Sequence, residues 1–188
     1  MSAEDLEELF EFSKMEMDQS IEHLENMLRR ISTGKASPDM LIGVAVDYYG
    51  APTPLNQVAN ITVSDSRTLV IQPWEKSMIA PIEKAIFEAN LGVTPQNDGE
   101  LVRLSIPMLT EERRKQLVKQ AKSDGEDAKV SIRSTRKKLM EGIKKATKEG
   151  YPEDAGKRKE ELAQKLTNDY TTKVDDHIKN KETDIMTI

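Results

Sequence analysis

The sequence predicts an α+β protein: an elongated three-helix bundle, residues 1–33 plus 107–188, with a small α+β domain, residues 34–106, inserted into it. Three observations lead there. Three long proline-free segments carry apolar residues at steps of three, four and seven, the spacing of one face of a helix. Between the first two, short apolar runs alternate in steps of two and are cut by Gly and Pro. Pro107 then marks the return to helical spacing. A helix with one apolar stripe cannot bury it alone, so three such stripes in one chain are expected to pack on one another.

The first helix is expected over residues 3–31. Phe10, Met17, Leu24 and Ile31 recur every seven residues, and Leu6, Ile21 and Leu28 fill the neighbouring row. Met15, Met17 and Met27 are read as bundle core. Glu4, Asp5, Glu7 and Glu8 suit the positive end of a helix, Arg29 and Arg30 its negative end. Thr33-Gly34 supplies the stop.

In the insert, Ser37-Pro38-Asp39 opens a short turn or helix, and Val44, Val46 and Tyr48 alternate as a half-buried strand does. Residues 49–54 are expected to be loop, because Pro52 and Pro54 remove backbone donors. Residues 58–63 and 68–71 read as strands around a turn at 64–66. Trp74 is expected to pack inside the insert. Residues 76–91 read as an amphipathic helix carrying Ile79, Ile82, Ile86 and Phe87, ended by Gly92. Residues 95–99 read as polar loop and 101–106 as the last strand.

The second bundle helix follows Thr110, a plausible N-cap with Glu111 and Glu112 in the first turn. Leu117, Ala121, Ala128, Ile132, Thr135, Leu139, Ile143 and Ala146 form its stripe. Gly125 occupies a slot in that stripe, a weak point or a place for close packing. Gly150-Tyr151-Pro152 breaks the helix, and a third, from about Glu153 to Ile185, carries Leu162, Leu166, Tyr170, Val174, Ile178 and Ile185. The two crossings between bundle and insert, through Ser32, Thr33 and Gly34 and through Ile106 and Pro107, make a natural hinge.

Charge is unevenly placed. The net −5 divides into −6 over residues 1–30, −3 over 31–110, +6 over 111–149 and −2 over 150–188. On a wheel of about 100° per residue, Lys122, Lys129, Arg133, Arg136, Lys137 and Lys144 fall together, roughly a third of a turn from the apolar stripe. Such a row can track a phosphate backbone. The plainer alternative is an ion-paired helix face, with Glu126 reaching Lys129 or Lys122. Such exposed pairs contribute only about 0.3–0.5 kcal/mol each, too little to require so many cations.

Much chemistry is excluded. Without cysteine there is no disulfide, thiolate metal site or thiol catalysis. His23 and His177 are the only histidines, both beside acidic neighbours, and are read as surface residues. There is no phosphate loop, dinucleotide fingerprint or zinc motif. No cofactor and no metal are expected. No apolar run approaches the ~20 residues of a membrane span, and the acidic N-terminus is unlike a targeting segment, so a cytoplasmic protein without membrane contact is expected.

Five strings carry a likeness: residues 31–38 (ISTGKASP), 47–55 (DYYGAPTPL), 65–69 (DSRTL), 93–95 (VTP) and 109–115 (LTEERRK). In order and spacing over essentially the whole chain, the sequence resembles the ribosome recycling factor family. The resemblance implies an L-shaped molecule, a three-helix rod with an inserted β/α/β domain, similar in outline to tRNA. It implies a non-enzymatic translation factor that splits post-termination ribosomes into subunits with elongation factor G and GTP. The rod would lie against large-subunit rRNA in the intersubunit space, and the factor would act as a monomer. The family's binding arginines match Arg133, Arg136 and Arg114, with Lys129, Lys137 and Lys122 alongside. Its Gly-Arg-Ala junction reads Gly34-Lys35-Ala36 here, so Lys35 keeps the charge without the planar fork. Ser32 stands where the family often has Arg, and Met108 where it usually has a second proline. The rival reading is a helical adaptor that dimerises through its seams.

Overall fold

The computed structural model describes residues 1–188. In chain order its elements are α1 (Ala3–Arg29), β1 (Ala45–Tyr48), β2 (Ala51–Pro54), β3 (Ala59–Asp65), β4 (Thr68–Pro73), α2 (Ile79–Glu88), β5 (Pro95–Asn97), β6 (Val102–Ser105), α3 (Glu111–Lys148) and α4 (Glu153–Met186). The chain forms two compact units. One is Met1–Ile31 with Lys115–Ile188, the other Ser32–Arg114.

The first unit is helical. Ser2 caps α1: its hydroxyl accepts from the Asp5 backbone N–H, and the Asp5 carboxylate accepts in return from the Ser2 N–H. Leu6, Met17, Ile21, Leu24 and Leu28 are buried along α1, as are Ala121, Ile132, Leu139, Ile143 and Ala146 of α3 and Ala163, Tyr170, Val174 and Ile185 of α4; Leu6 packs in one cluster with Leu139, Ile143, Ala146 and Ala163. Gly125 is a place of close packing. A Cβ there would lie 2.7 Å from the Ile178 side chain, so α3 tolerates no larger residue without a shift. Three stripe assignments are corrected. Leu162 is exposed and Ala163 beside it is buried; Met15 is exposed, midway between the buried Ser13 and Met17; Met27 is only half-buried.

The second unit packs α2 and a hairpin with a four-stranded antiparallel sheet, order β3-β4-β6-β5. Its core holds Val46, Leu55, Leu69, Ile71, Met78, Ile82, Ile86, Val102, Leu104 and Ile106. The expected loop at 49–54 is instead a turn and a strand. β2 pairs antiparallel with β1, Tyr48 opposite Ala51, and Tyr49-Gly50 makes the two-residue turn at φ 49° and 87°. Pro52 and Pro54 are tolerated because β2 pairs only with β1 and leaves its other edge free. Likewise Pro95–Asn97 is no loop but an edge strand on β6. Trp74 and Phe87, expected in the core, stand 61% and 62% exposed. No helix is long and apolar enough to cross a membrane.

Candidate nucleic-acid interface

The 3.6-residue period of α3 separates its side chains. With Leu117, Ile132, Leu139 and Ile143 turned inward, Lys122, Arg133, Lys137 and Lys144 stand exposed, while Arg136 and Lys129 are half-buried. The cations then divide by what faces them. Lys129 Nζ lies 2.6 Å from Asp175 Oδ1 on α4 and 3.9 Å from Glu126 Oε1 on its own helix. Lys122 Nζ lies 3.9 Å from Glu182 Oε1. Arg133, Lys137 and Lys144 make no hydrogen bond or ion pair.

Arg136 is held differently. Its Nε donates to Gln164 Oε1 at 2.8 Å, and Gln164 Nε2 donates to Asn168 Oδ1 at 2.8 Å. The Asn168 contact fixes which end of the Gln164 amide faces Arg136. The guanidinium is thereby oriented through Nε, and its two terminal nitrogens keep their donors for a phosphate. Gln164 was not identified from sequence. Only the antiparallel register of α3 and α4 brings it to Arg136. The same register pairs Lys122 and Lys129, seven apart, with Glu182 and Asp175, seven apart in reverse.

The other expected binding residues lie elsewhere. Arg114 and Lys35 belong to the second unit. Arg114 is only 8% exposed, and its Nε donates to Leu109 O at 3.4 Å, which braces the start of α3. Lys35 is half-buried. Among the expected hinge residues, Gly34 has φ 74° and its N–H donates to Ser32 Oγ at 3.3 Å. A Cβ at Gly34 would lie 3.0 Å from Leu109 Cγ, so these two segments of the second unit pack closely there. Thr33 is half-buried and Pro107 exposed. Ile106 is different. It is 3% exposed in the core of the second unit, and its N–H donates to Arg67 O at 2.7 Å.

Other surfaces suit a polyanion poorly. The groove between α1 and α3 is lined by Glu16, Asp124 and Asp127 against a single lysine, Lys138, with His23 at its side. His177 is not a plain surface residue: its Nε2 lies 3.2 Å from Glu25 Oε1, linking α4 to α1. Tyr170 is buried and its hydroxyl donates to Asp18 across the same helix pair. Burial first, then that carboxylate, push its phenol well above its ordinary value.

Comparison with known proteins gives one answer. The family model described as "Ribosome recycling factor" matches residues 24–186. The ribosome-recycling factor of Porphyromonas gingivalis is 48% identical over 185 residues, covering 98% of this chain and 100% of that protein. That of Flavobacterium johnsoniae is 50% identical over 185 residues, covering 98% and 99%. A solution structure of a ribosome recycling factor superposes with a TM-score of 0.84 at 34% identity, covering the whole of both chains. A Thermus thermophilus ribosome recycling factor, described with Escherichia coli elongation factor G bound to the post-termination complex, matches at TM-score 0.68 and 40% identity, covering 97% of this chain and 99% of that one. On a two-unit fold, a half-unpaired cationic face and likeness along its whole length, the chain belongs to the ribosome recycling factor family.

Proposed function

We propose that this chain is a translation factor that, with elongation factor G and GTP, disassembles post-termination ribosomes into subunits. It binds in the intersubunit space and lays its helical rod against large-subunit rRNA. One observation carries this reading above the rest: near full-length likeness to a factor described on the post-termination complex with elongation factor G. The chain hydrolyses nothing itself.

The RNA contact is assigned to Arg133, Arg136 and Lys137, with Lys144 extending the row. Their support is that Arg133, Lys137 and Lys144 form no ion pair and that the fork of Arg136 is oriented. Each phosphate they neutralise releases counterions, which makes binding salt-dependent. Lys122 and Lys129 must first leave Glu182 and Asp175, so their share is smaller. Arg114 braces the base of α3, and Lys35 lies at the junction.

Residues 1–33 plus 107–188 act as the rod and 34–106 as the moving arm. The hinge comprises Ser32, Thr33, Gly34 and Pro107, with Ile106 as its anchor in the arm. The left-handed backbone of Gly34 and its close approach to Leu109 support this reading. The adaptor alternative is disfavoured because most of the apolar stripe residues of α1, α3 and α4 are already buried within the first unit. The test is subunit splitting of post-termination ribosomes. Splitting is expected only when this chain, elongation factor G and GTP are all present. Splitting at the same rate without this chain would refute the reading.

A further inference from the structure

Tyr49 occupies an expensive position. It is the first central residue of the β1–β2 turn, at φ 49°, where Asn, Asp and Gly are the usual occupants. A bulky side chain there carries strain, and strain that persists calls for an explanation in function. Folding offers none, since Tyr49 is 77% exposed and adds nothing to the core.

Its hydroxyl is tied to Glu75. Tyr49 donates its phenol hydrogen to Glu75 Oε2 at 2.8 Å, and Tyr48 donates to Glu75 Oε1 at 3.1 Å. The two rings meet edge to face, centroids 4.7 Å apart and planes at 76°. A carboxylate is thus held in one orientation by two phenol hydroxyls, one on each oxygen. Each of its oxygens retains an open acceptor position. It has no ion pair, although it is an exposed carboxylate. The hydrogen bond to that carboxylate raises the Tyr48 phenol above its ordinary value.

We propose that Glu75, Tyr48 and Tyr49 form a guanidinium-binding site, whose ligand is an arginine side chain of a protein partner. A planar cation can take the two free acceptor positions in a bidentate pair while its face lies on the exposed Tyr49 ring. Lysine offers neither the fork nor the flat face. RNA fits worse: a base could stack on Tyr49, but its phosphates would meet Glu75 on a segment of net charge −3. The site belongs to the second unit and the cations of α3 to the first, so it does not depend on their assignment.

The experiment is an NMR titration of the full-length chain, following tyrosine ring signals. The probes are a capped Gly-Arg-Gly peptide, the same peptide with neutral citrulline, and an oligouridylate. The arginine peptide is expected to shift Tyr48 and Tyr49 saturably, with citrulline binding about tenfold more weakly. Glu75→Gln and Tyr49→Asn should each weaken the arginine peptide about tenfold. Asn suits the left-handed turn, so Tyr49→Asn should melt no lower than the parent, which separates loss of the site from loss of the fold. Citrulline binding as well as arginine, undiminished binding by Glu75→Gln, or larger ring shifts with oligouridylate would each overturn the proposal.

Discussion

Lys122 and Lys129, at one end of the α3 stripe, face carboxylates on α4, whereas Arg133, Lys137 and Lys144, further along, face none. The residue types and the helix are the same. What differs is the opposing helix, which offers Asp175 and Glu182 at one end and the neutral amides Gln164 and Asn168 at the other. A cation matched by a carboxylate is spent on holding two helices together. A cation matched by an amide keeps its charge while gaining a direction. The stripe is therefore two surfaces, and its sequence alone does not divide it.

The largest effect expected from this division is on ribosome binding. Arg133→Ala with Arg136→Ala should lower affinity about 100-fold, as two charge-assisted contacts of about 1.5 kcal/mol each would. The melting temperature should fall by only a few degrees, because Arg133 is exposed and Arg136 gives up a single half-buried hydrogen bond to Gln164. A sedimentation assay beside a thermal melt reads both. Lys129→Ala should do the opposite. It removes a half-buried pair and the packing of its stem, so the melt should fall by a few degrees while affinity changes less than about threefold.

Gln164→Leu sharpens the comparison at its midpoint. The arginine remains but loses its orienting partner, and affinity should fall about threefold to fivefold. Restoring an acceptor with Gln164→Glu should not recover the parent, because a carboxylate would neutralise the guanidinium. Full parental affinity for Gln164→Leu would remove the positioning role.

The smallest effect concerns the α1–α4 contact between the two ends. The Tyr170 phenol is raised above its ordinary value of 10.0. The unfolded chain then loses that proton before the folded one. The contribution to stability is therefore whole below about pH 10 and is lost as pH rises beyond it. Tyr170→Phe should cost about 1 kcal/mol at neutral pH through the lost hydrogen bond to Asp18, yet flatten the decline above pH 10. Denaturant unfolding across pH 8–11 measures both.

The legible parts of this molecule were those written in one local period. α1, α3 and α4 follow from apolar residues every three or four positions, and the cationic row from the same wheel. The β1–β2 hairpin was not legible. Pro52 and Pro54 read as strand breakers until β2 is known to lie at an edge, and the Tyr49-Gly50 turn lacks the usual Asn or Asp. Phe87 sits beside Ile86 on α2, and period alone did not turn it outward. The division of the stripe was hidden for a related reason. It depends on which α4 residue meets which α3 residue, a register that neither helix states by itself.

The salt dependence of ribosome binding separates the two halves of the α3 stripe. Log affinity against log salt should be measured for the parent, for Arg133→Ala with Arg136→Ala, and for Lys122→Ala with Lys129→Ala. Each phosphate contact contributes about 0.7–0.9 to the slope. The arginine pair should therefore flatten the slope by about 1.4–1.8, and the lysine pair should leave it within about 0.3 of the parent. Equal flattening by both pairs would contradict the account, because it would make the whole stripe a single RNA-binding surface.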